Sequence, residues 1–514
     1  MRYFILFSLA ILSITIFSYL FIYNDIGRED TSLRIIKEII PANIKTKLKE
    51  TIFVFKNQKI LKETNNKLLT ENTKLNQENL SLKKDVDIAT MKIQELGFMD
   101  NEIKDLKDFI NNQISYKSIQ NHIIKEIGNI NFNKIKEETI SFYENNFSLK
   151  KYHINNIITF GKNTAKASAY IDYYDDRIFI VTATGIVSSV YFDDIKNDFF
   201  SSSIIDSNLF QFVDYNEFFK KSQFGIKDIL IEDNKIYLSL TYALEENCFN
   251  TAIIYAEINY EYLNFNDFFI PNKCVRTENS YGEFNAHHAS GRMVSYDKES
   301  ILFAMGEYRF RDLAQEKNSL FGKIIKINKF DKSYKIISMG HRNNQGLLYH
   351  KESDTIFMTE HGPNGGDEIN INNNPNKELK NYGWPISSYG EHYGFSQRDD
   401  KETKYIKAPL YKSHSEYGFE EPFYYFTPSI GISEIINIPN KFLDIEGFQL
   451  LVSSLGLGTG RTLFHFVINE NYEIIAKDHF VINERVRDMK YVSDKNIILL
   501  FLENTGSLAI LEKK

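Results

Sequence analysis

The chain has 514 residues, too many for one simple core, so two or more folded units are expected. Hydrophobic residues make up 43% and aromatic residues 14%, which is enough for a large folded body. A formal charge of −7 gives no reason to expect a nucleic-acid partner.

Residues 3–23 form an apolar run of about the length that spans a bilayer. Arg2 precedes it and the net acidic stretch 24–30 follows, so the positive-inside bias keeps the N-terminus in the cytoplasm and sends the rest outside. A cleaved signal peptide is the rival. The run is long for one and no small-x-small cleavage site follows, which favours an uncleaved anchor over 1–30. In a bacterium this means a single pass of the inner membrane, with the C-terminal part in the periplasm.

After a linker (31–56), Leu61, Leu68, Leu75, Leu82, Ala89, Leu96, Ile103 and Ile110 recur at heptad spacing. With these at position d, position a reads Asn65, Asn72, Asn79, Val86 and Ile93. Leu at d with Asn at a predicts a two-stranded coiled-coil stalk over 57–115, hence a homodimer. The alternative is a solvated helix folded back on its own domain, and Gly97 interrupts either helix.

A second linker (116–150) leads into a β-rich region, 151–514. Runs such as 177–182, 235–240, 300–304 and 496–501 are strand-like, with turn residues such as Asp175-Asp176 and Glu232-Asp233-Asn234 between them. The recurrence suits a propeller or a sandwich. Cys248 and Cys274 lie in neighbouring strand-rich segments, where a disulfide and two buried thiols both remain open. With no third sulfur and no Cys-x-x-Cys or His-Glu-x-x-His spacing, a zinc site is not expected. The glycines at 456, 458 and 460 lack nucleotide-loop spacing and lead into a strand pattern, not a helix.

The segment 361–370 (His-Gly-Pro-Asn-Gly-Gly-Asp-Glu-Ile-Asn) carries the most chemistry. A strand ending in Gly-Pro and two further glycines makes a tight loop in which carbonyls can turn towards one point. Asp367 and Glu368 add hard oxygen ligands, as a calcium ion needs, although an ordinary hairpin loop has the same look. Upstream stand Asn285-Ala-His287-His288-Ala-Ser-Gly-Arg292 and Gly340-His-Arg342-Asn343-Asn-Gln-Gly346; downstream stands Asn381-Tyr382-Gly-Trp384-Pro385.

Together these motifs resemble the quinoprotein sugar dehydrogenases, the glucose/sorbosone and aldose sugar dehydrogenase family, from about His287 to Arg487. The resemblance implies a mainly β fold, a six-bladed β-propeller carrying pyrroloquinoline quinone (PQQ) and calcium, and oxidation of an aldose at C1. It makes His288 the general base, with His287 turned the other way on a strand. Arg342 and Asn343 fall at quinone-contacting positions, where a guanidinium stabilises the charge that arrives with a hydride. Tyr393 matches a cofactor-contacting aromatic, Arg461 a further cofactor cation, and Glu307 a position near the sugar. The carbonyls of Gly362 and Pro363 would hold the calcium that polarises the quinone, and Glu368 and Tyr382 a second, structural ion. A quinone or small electron carrier would take the electrons.

The pattern departs from the family in two places. No lysine appears in 426–434, and Asn364 replaces a frequent basic residue. The alternative function is an inactive propeller that binds a glycan or an envelope partner; a third is a purely structural envelope protein. A scaffold alone would keep Gly362 and Trp384, yet has no need of the proton acceptor His288.

Overall fold

Several strands are apolar runs without alternation. Ile497–Leu502 (IILLFL), Ser300–Met305 and Thr355–Glu360 are buried along their whole length. A strand buried on both faces lies mid-sheet in a sheet that is itself sandwiched between two others. The computed structural model, which describes residues 121 and 129–514 except 144, 156–167, 214, 219–220, 394–401 and 457–460, has this arrangement. The chain divides into two compact units, Met1–Glu126 and Ile127–Lys514, and all but one of the described residues belong to the second.

Six antiparallel four-stranded blades follow one another in the second unit. Their innermost strands are Ala169–Tyr174, Ile226–Glu232, Ser290–Asp297, Asn344–His350, Ile432–Ile438 and Val486–Val492. Each packs beside the next, and the last packs beside the first, so the ring closes as a propeller. Apolar clusters fill the gaps between blades. One joins Leu451, Leu463 and Phe480 of the fifth blade to Met489, Ile498 and Leu500 of the sixth.

The sixth blade takes its fourth strand from the other end of the domain. Asn145–Asn155 pairs antiparallel with Ser507–Lys513, Leu149 opposite Leu511. Asn129–Phe142 then pairs with both Asn145–Asn155 and Phe199–Ser207, the outer strand of the first blade. The propeller therefore begins near residue 129, not at 151, and part of the 116–150 linker is strand. Its Asn, Lys and Glu content hid a period-two pattern in which Ile130 and Phe132 are buried.

Cys248 and Cys274 are bonded to each other within the second blade. The apolar run 3–23 and the heptads 57–115 lie outside the described residues. Among the described residues no helix is long and apolar enough to cross a membrane.

Carboxylates tie the inner strands together around the axis. Asp172 accepts the N–H of Ile231, Asp228 that of Met293, and Asp488 that of Ile171, each at 2.7 Å. Arg292 sits among Asp228 (2.9 Å), Glu434 (2.8 Å) and Asp488 (2.8 Å) and donates to the Gln345 carbonyl at 2.6 Å. One buried cation thus reaches five of the six inner strands, counting Asp488's bond to the first. Burial pushes Asp228 up to about 7 and Glu434 well above the usual carboxylate range, with Arg292 opposing both. Removing the cation would strand these carboxylates in a dry interior. Arg292→Met is therefore expected to cost about 3–5 kcal/mol in urea unfolding, or to prevent folding. A loss below about 1 kcal/mol would show that the axis does not depend on it.

Candidate active site

His288 and His287 do not lie on a strand. They end a 3₁₀ turn, Ala286–His288, capped by the Asn285 side chain, just before Ser290–Asp297. The Asn-Ala-His-His segment is capped as a turn before the strand begins, which is why strand alternation failed here. His287 is exposed, whereas the His288 side chain is only 12% exposed and points inward. Gly306 makes this possible, since a Cβ there would lie 1.8 Å from the His288 carbonyl oxygen. Tyr308 and Gly306 donate to the carbonyls of His288 and Ala289, at 3.3 and 3.0 Å. Ser290 has φ +56, and its N–H donates to Asn343 Oδ1 at 3.1 Å.

The two ring nitrogens of His288 have different neighbours. Nδ1 lies 2.6 Å from Glu307 Oε1, and Nε2 lies 3.3 Å from the Arg342 guanidinium. A guanidinium only donates, so Nε2 carries the lone pair and Nδ1 the proton shared with Glu307. Burial, with Arg342 and Arg309 nearby, holds His288 well below its usual range, so the ring is neutral near pH 7. Burial raises Glu307 to about 7, with Arg342 and Arg311 opposing. Glu307 was expected beside a sugar, but its carboxylate backs the histidine; Oε2 is buried without a hydrogen-bond partner.

Arg342 spans the site. It donates to the His361 carbonyl at 2.7 Å, lies 5.3 Å over the Trp384 ring, and has a buried Nε with no partner. A cleft of about 350 Å³ opens here, lined by His288, Glu307, Arg342, Pro363, Trp384 and Tyr393. Glu283, Arg309, Arg311, His392 and Tyr405 complete the lining, and none of them stands in a motif that singles it out. Tyr393 is at the mouth, 55% exposed. Two more cations, Arg485 and Arg487, act on His361, which also faces Arg342. Both are paired to Glu503, at 2.8 and 2.7 Å. Their Arg-x-Arg spacing at the start of an inner strand was the available signal.

The glycine loop folds as tightly as its sequence suggests. A Cβ on Gly362 would lie 2.0 Å from the Gly366 carbonyl oxygen. Asp367 is not a free ligand, because it accepts the N–H groups of Gly362, Ile430 and Ile432 at 3.0–3.1 Å. Glu368 points to the other face of the strand. It is buried opposite Glu360, 3.6 Å from His414, whose ring nitrogens have no hydrogen-bond partner. Burial and the Glu360 charge raise Glu368 well above its usual range. Tyr382 stacks on His341, and its hydroxyl donates to the Ile371 carbonyl. Asn343 spends its side-chain oxygen on Ser290 and Gln345. Arg461 is outside the cleft lining; its carbonyl accepts the N–H groups of Ile482 and Asn483.

The family model described as Glucose / Sorbosone dehydrogenase matches residues 204–510. The aldose sugar dehydrogenase YliI of Escherichia coli (strain K12) is 28% identical over 311 residues, 56% of this chain and 76% of that protein. A crystal structure of a glucose dehydrogenase aligns with TM-score 0.53 at 22% identity, covering 68% of this chain and 98% of the other. The apo-form crystal structure of the soluble aldose sugar dehydrogenase from Escherichia coli aligns with TM-score 0.53 at 20% identity, covering 68% and 96%. Both structural likenesses establish the propeller fold.

Glu307 gives a testable pH signature. Its folded pKa, about 7, lies above the ordinary 4.5, so its stabilising contribution is present below about 4.5 and is lost as pH rises through 7. His288 carries the opposite slope. The stability difference between wild type and Glu307→Gln isolates the carboxyl and should fall by roughly 3 kcal/mol between pH 4.5 and 7.5. A difference flat with pH would mean that Glu307 titrates normally.

Proposed function

As a member of the glucose/sorbosone dehydrogenase family, this chain is a sugar oxidoreductase, and we propose that it oxidises an aldose at C1 with PQQ, His288 acting as general base. The observation that carries the proposal is the geometry of an inward-facing histidine, with Glu307 2.6 Å from Nδ1 and Arg342 3.3 Å from Nε2, which leaves the Nε2 lone pair for a substrate proton. PQQ, when bound, would supply a two-electron quinone acceptor for the C1 hydride, to be reoxidised by a quinone or small carrier. His288 Nε2 takes the hydroxyl proton, so the sugar loses a hydride and a proton and becomes a lactone. Glu307 accepts the Nδ1–H hydrogen bond and its carboxylate stabilises the imidazolium that forms. Arg342 offers a cation where negative charge arrives, its Nε still without a partner.

The residues present fit the cofactor. PQQ is an anion with several carboxylates, and Arg342, Arg485 and Arg487 supply cations around His361. Tyr393 and Trp384 supply aromatic faces, and by the family resemblance Asn343 and Arg461 would add contacts to the cofactor. The carbonyls of Gly362 and Pro363 would hold a calcium ion on the cofactor. Among the described residues no three His, Cys, Asp or Glu side chains converge as a metal cluster, so any cation must draw on carbonyls. Glu368, crowded by Glu360, is a buried carboxyl held towards its protonated form, and a second calcium, held with Tyr382, would stabilise its carboxylate. The proposal also takes the protein as anchored in the inner membrane by 3–23, with the propeller in the periplasm. A stalk over 57–115 would make it a parallel dimer, since all anchors enter from one side.

With reconstituted cofactor, His288→Gln should retain PQQ and lower aldose turnover in a dye-linked assay by roughly 10²-fold or more. Equal loss from His287→Gln, and none from His288→Gln, would reverse the assignment. A calcium chelator should lower the melting temperature of wild type, and Glu368→Ala should reduce that dependence. A melting curve indifferent to chelator in both proteins would remove the metal. A chain of residues 31–514 should sediment as a dimer at micromolar concentration; a monomer would rule out the stalk.

A further inference from the structure

We infer that Arg309 selects an aldose bearing a negative charge away from C1, a carboxylate or a phosphate, as in a hexuronate or a hexose 6-phosphate. This rests on the C1-oxidation reading above. Tyr308 and Arg309 are consecutive and both left-handed, with φ +54 and +67, a region that side-chain-bearing residues avoid. Packing accounts for Tyr308. Its ring is fully buried, and its hydroxyl meets Thr251 at 2.8 Å. At Arg309 the backbone N–H turns towards the Glu307 carboxylate, which leaves its side chain 31% exposed at the rim of the cleft.

No acceptor among the described residues lies within hydrogen-bond distance of the Arg309 guanidinium. Its nearest carboxylate is Glu283, at 3.9 Å. Both Glu283 oxygens are already taken by Arg311, at 3.1 and 2.9 Å, with Lys404 also 3.9 Å away. The second acid of the cleft, Glu307, is committed to His288. A forked cation, placed by unfavourable backbone next to the proton acceptor and left without a bidentate partner, matches a planar carboxylate or a phosphate. Arg342 lies deeper, buried between His288 and the His361 carbonyl, where the hydride acceptor belongs. Arg309, at the open rim, faces the part of the sugar that projects outward.

The shared chemistry is a single anionic group, and three substrates separate its sources. The specificity constant kcat/KM of the reconstituted protein is measured for glucuronate, glucose 6-phosphate and glucose, in wild type, Arg309→Gly and Arg309→Lys. Wild type should prefer at least one anionic sugar, and Arg309→Gly should lower the anionic-to-neutral ratio by roughly 10- to 100-fold. Lys should keep part of the preference, and added salt should weaken it. Because glycine accepts this backbone, Arg309→Gly should also melt higher than wild type. Equal or better use of glucose by wild type would overturn the proposal. So would loss of PQQ affinity in Arg309→Gly, which would make Arg309 a cofactor clamp. Calorimetric titration of the cofactor-free protein with the two anionic sugars separates this from the parent reading. Arg309-dependent binding with no turnover of any sugar would sink C1 oxidation and leave the anion site standing; no Arg309-dependent binding would sink the anion site.

Discussion

Arg292 is a buried charge that cannot be left alone, and the shape of the domain follows from how it is shared. Its guanidinium meets carboxylates from the second, fifth and sixth blades and a carbonyl from the fourth. Those carboxylates are occupied in turn, since Asp228 and Asp488 each accept a backbone N–H from the next inner strand. A blade displaced along the axis would lose an ion pair and a hydrogen bond together. Apolar packing between blades supplies most of the favourable burial, but it is tolerant of small slides. Directional bonds around the axis set which strands meet and at what height.

The active-site geometry inherits that height. Arg292 and His288 are four residues apart, and the turn between them is fixed by Ser290, Asn343 and the close approach of Gly306. Arg342 stands just before the fourth inner strand, and its own N–H donates to Glu360 of the neighbouring strand. His288 and Arg342 thus come from adjacent blades registered on one axis. A site assembled this way needs little rearrangement to bring Nε2 and the guanidinium together, which is what preorganised electrostatic catalysis requires.

Much of this was legible in the sequence where chemistry and backbone demand coincide. The tightness of the loop at 361–366 is legible because Gly362 and Gly366 stand where a Cβ would be blocked and Gly365 has φ +86. His288 and Arg342 stand out because their motifs have no structural substitute. Other features were hidden for physical reasons. The hairpin at 129–155 is polar on its outer face, so composition suggested a linker. Asp367 looked like a metal ligand, yet its oxygens are consumed by three backbone donors, a partnership that forms only after 430–432 folds against it. Glu307 lines the cleft, but local sequence cannot show its bond to His288. Arg309 and Arg311 followed an ordinary strand end, and only the three-dimensional rim gives them meaning.

The central claim is that this cleft brings a bound quinone and an aldose together beside His288. Titrating purified protein with PQQ in calcium-containing buffer, and then adding aldoses, follows it directly through the quinone absorbance. The account predicts one equivalent of tightly bound PQQ per chain and loss of the oxidised spectrum on adding a competent aldose. Failure to bind PQQ with calcium present, or a bound quinone whose spectrum no neutral or anionic aldose changes, would contradict it.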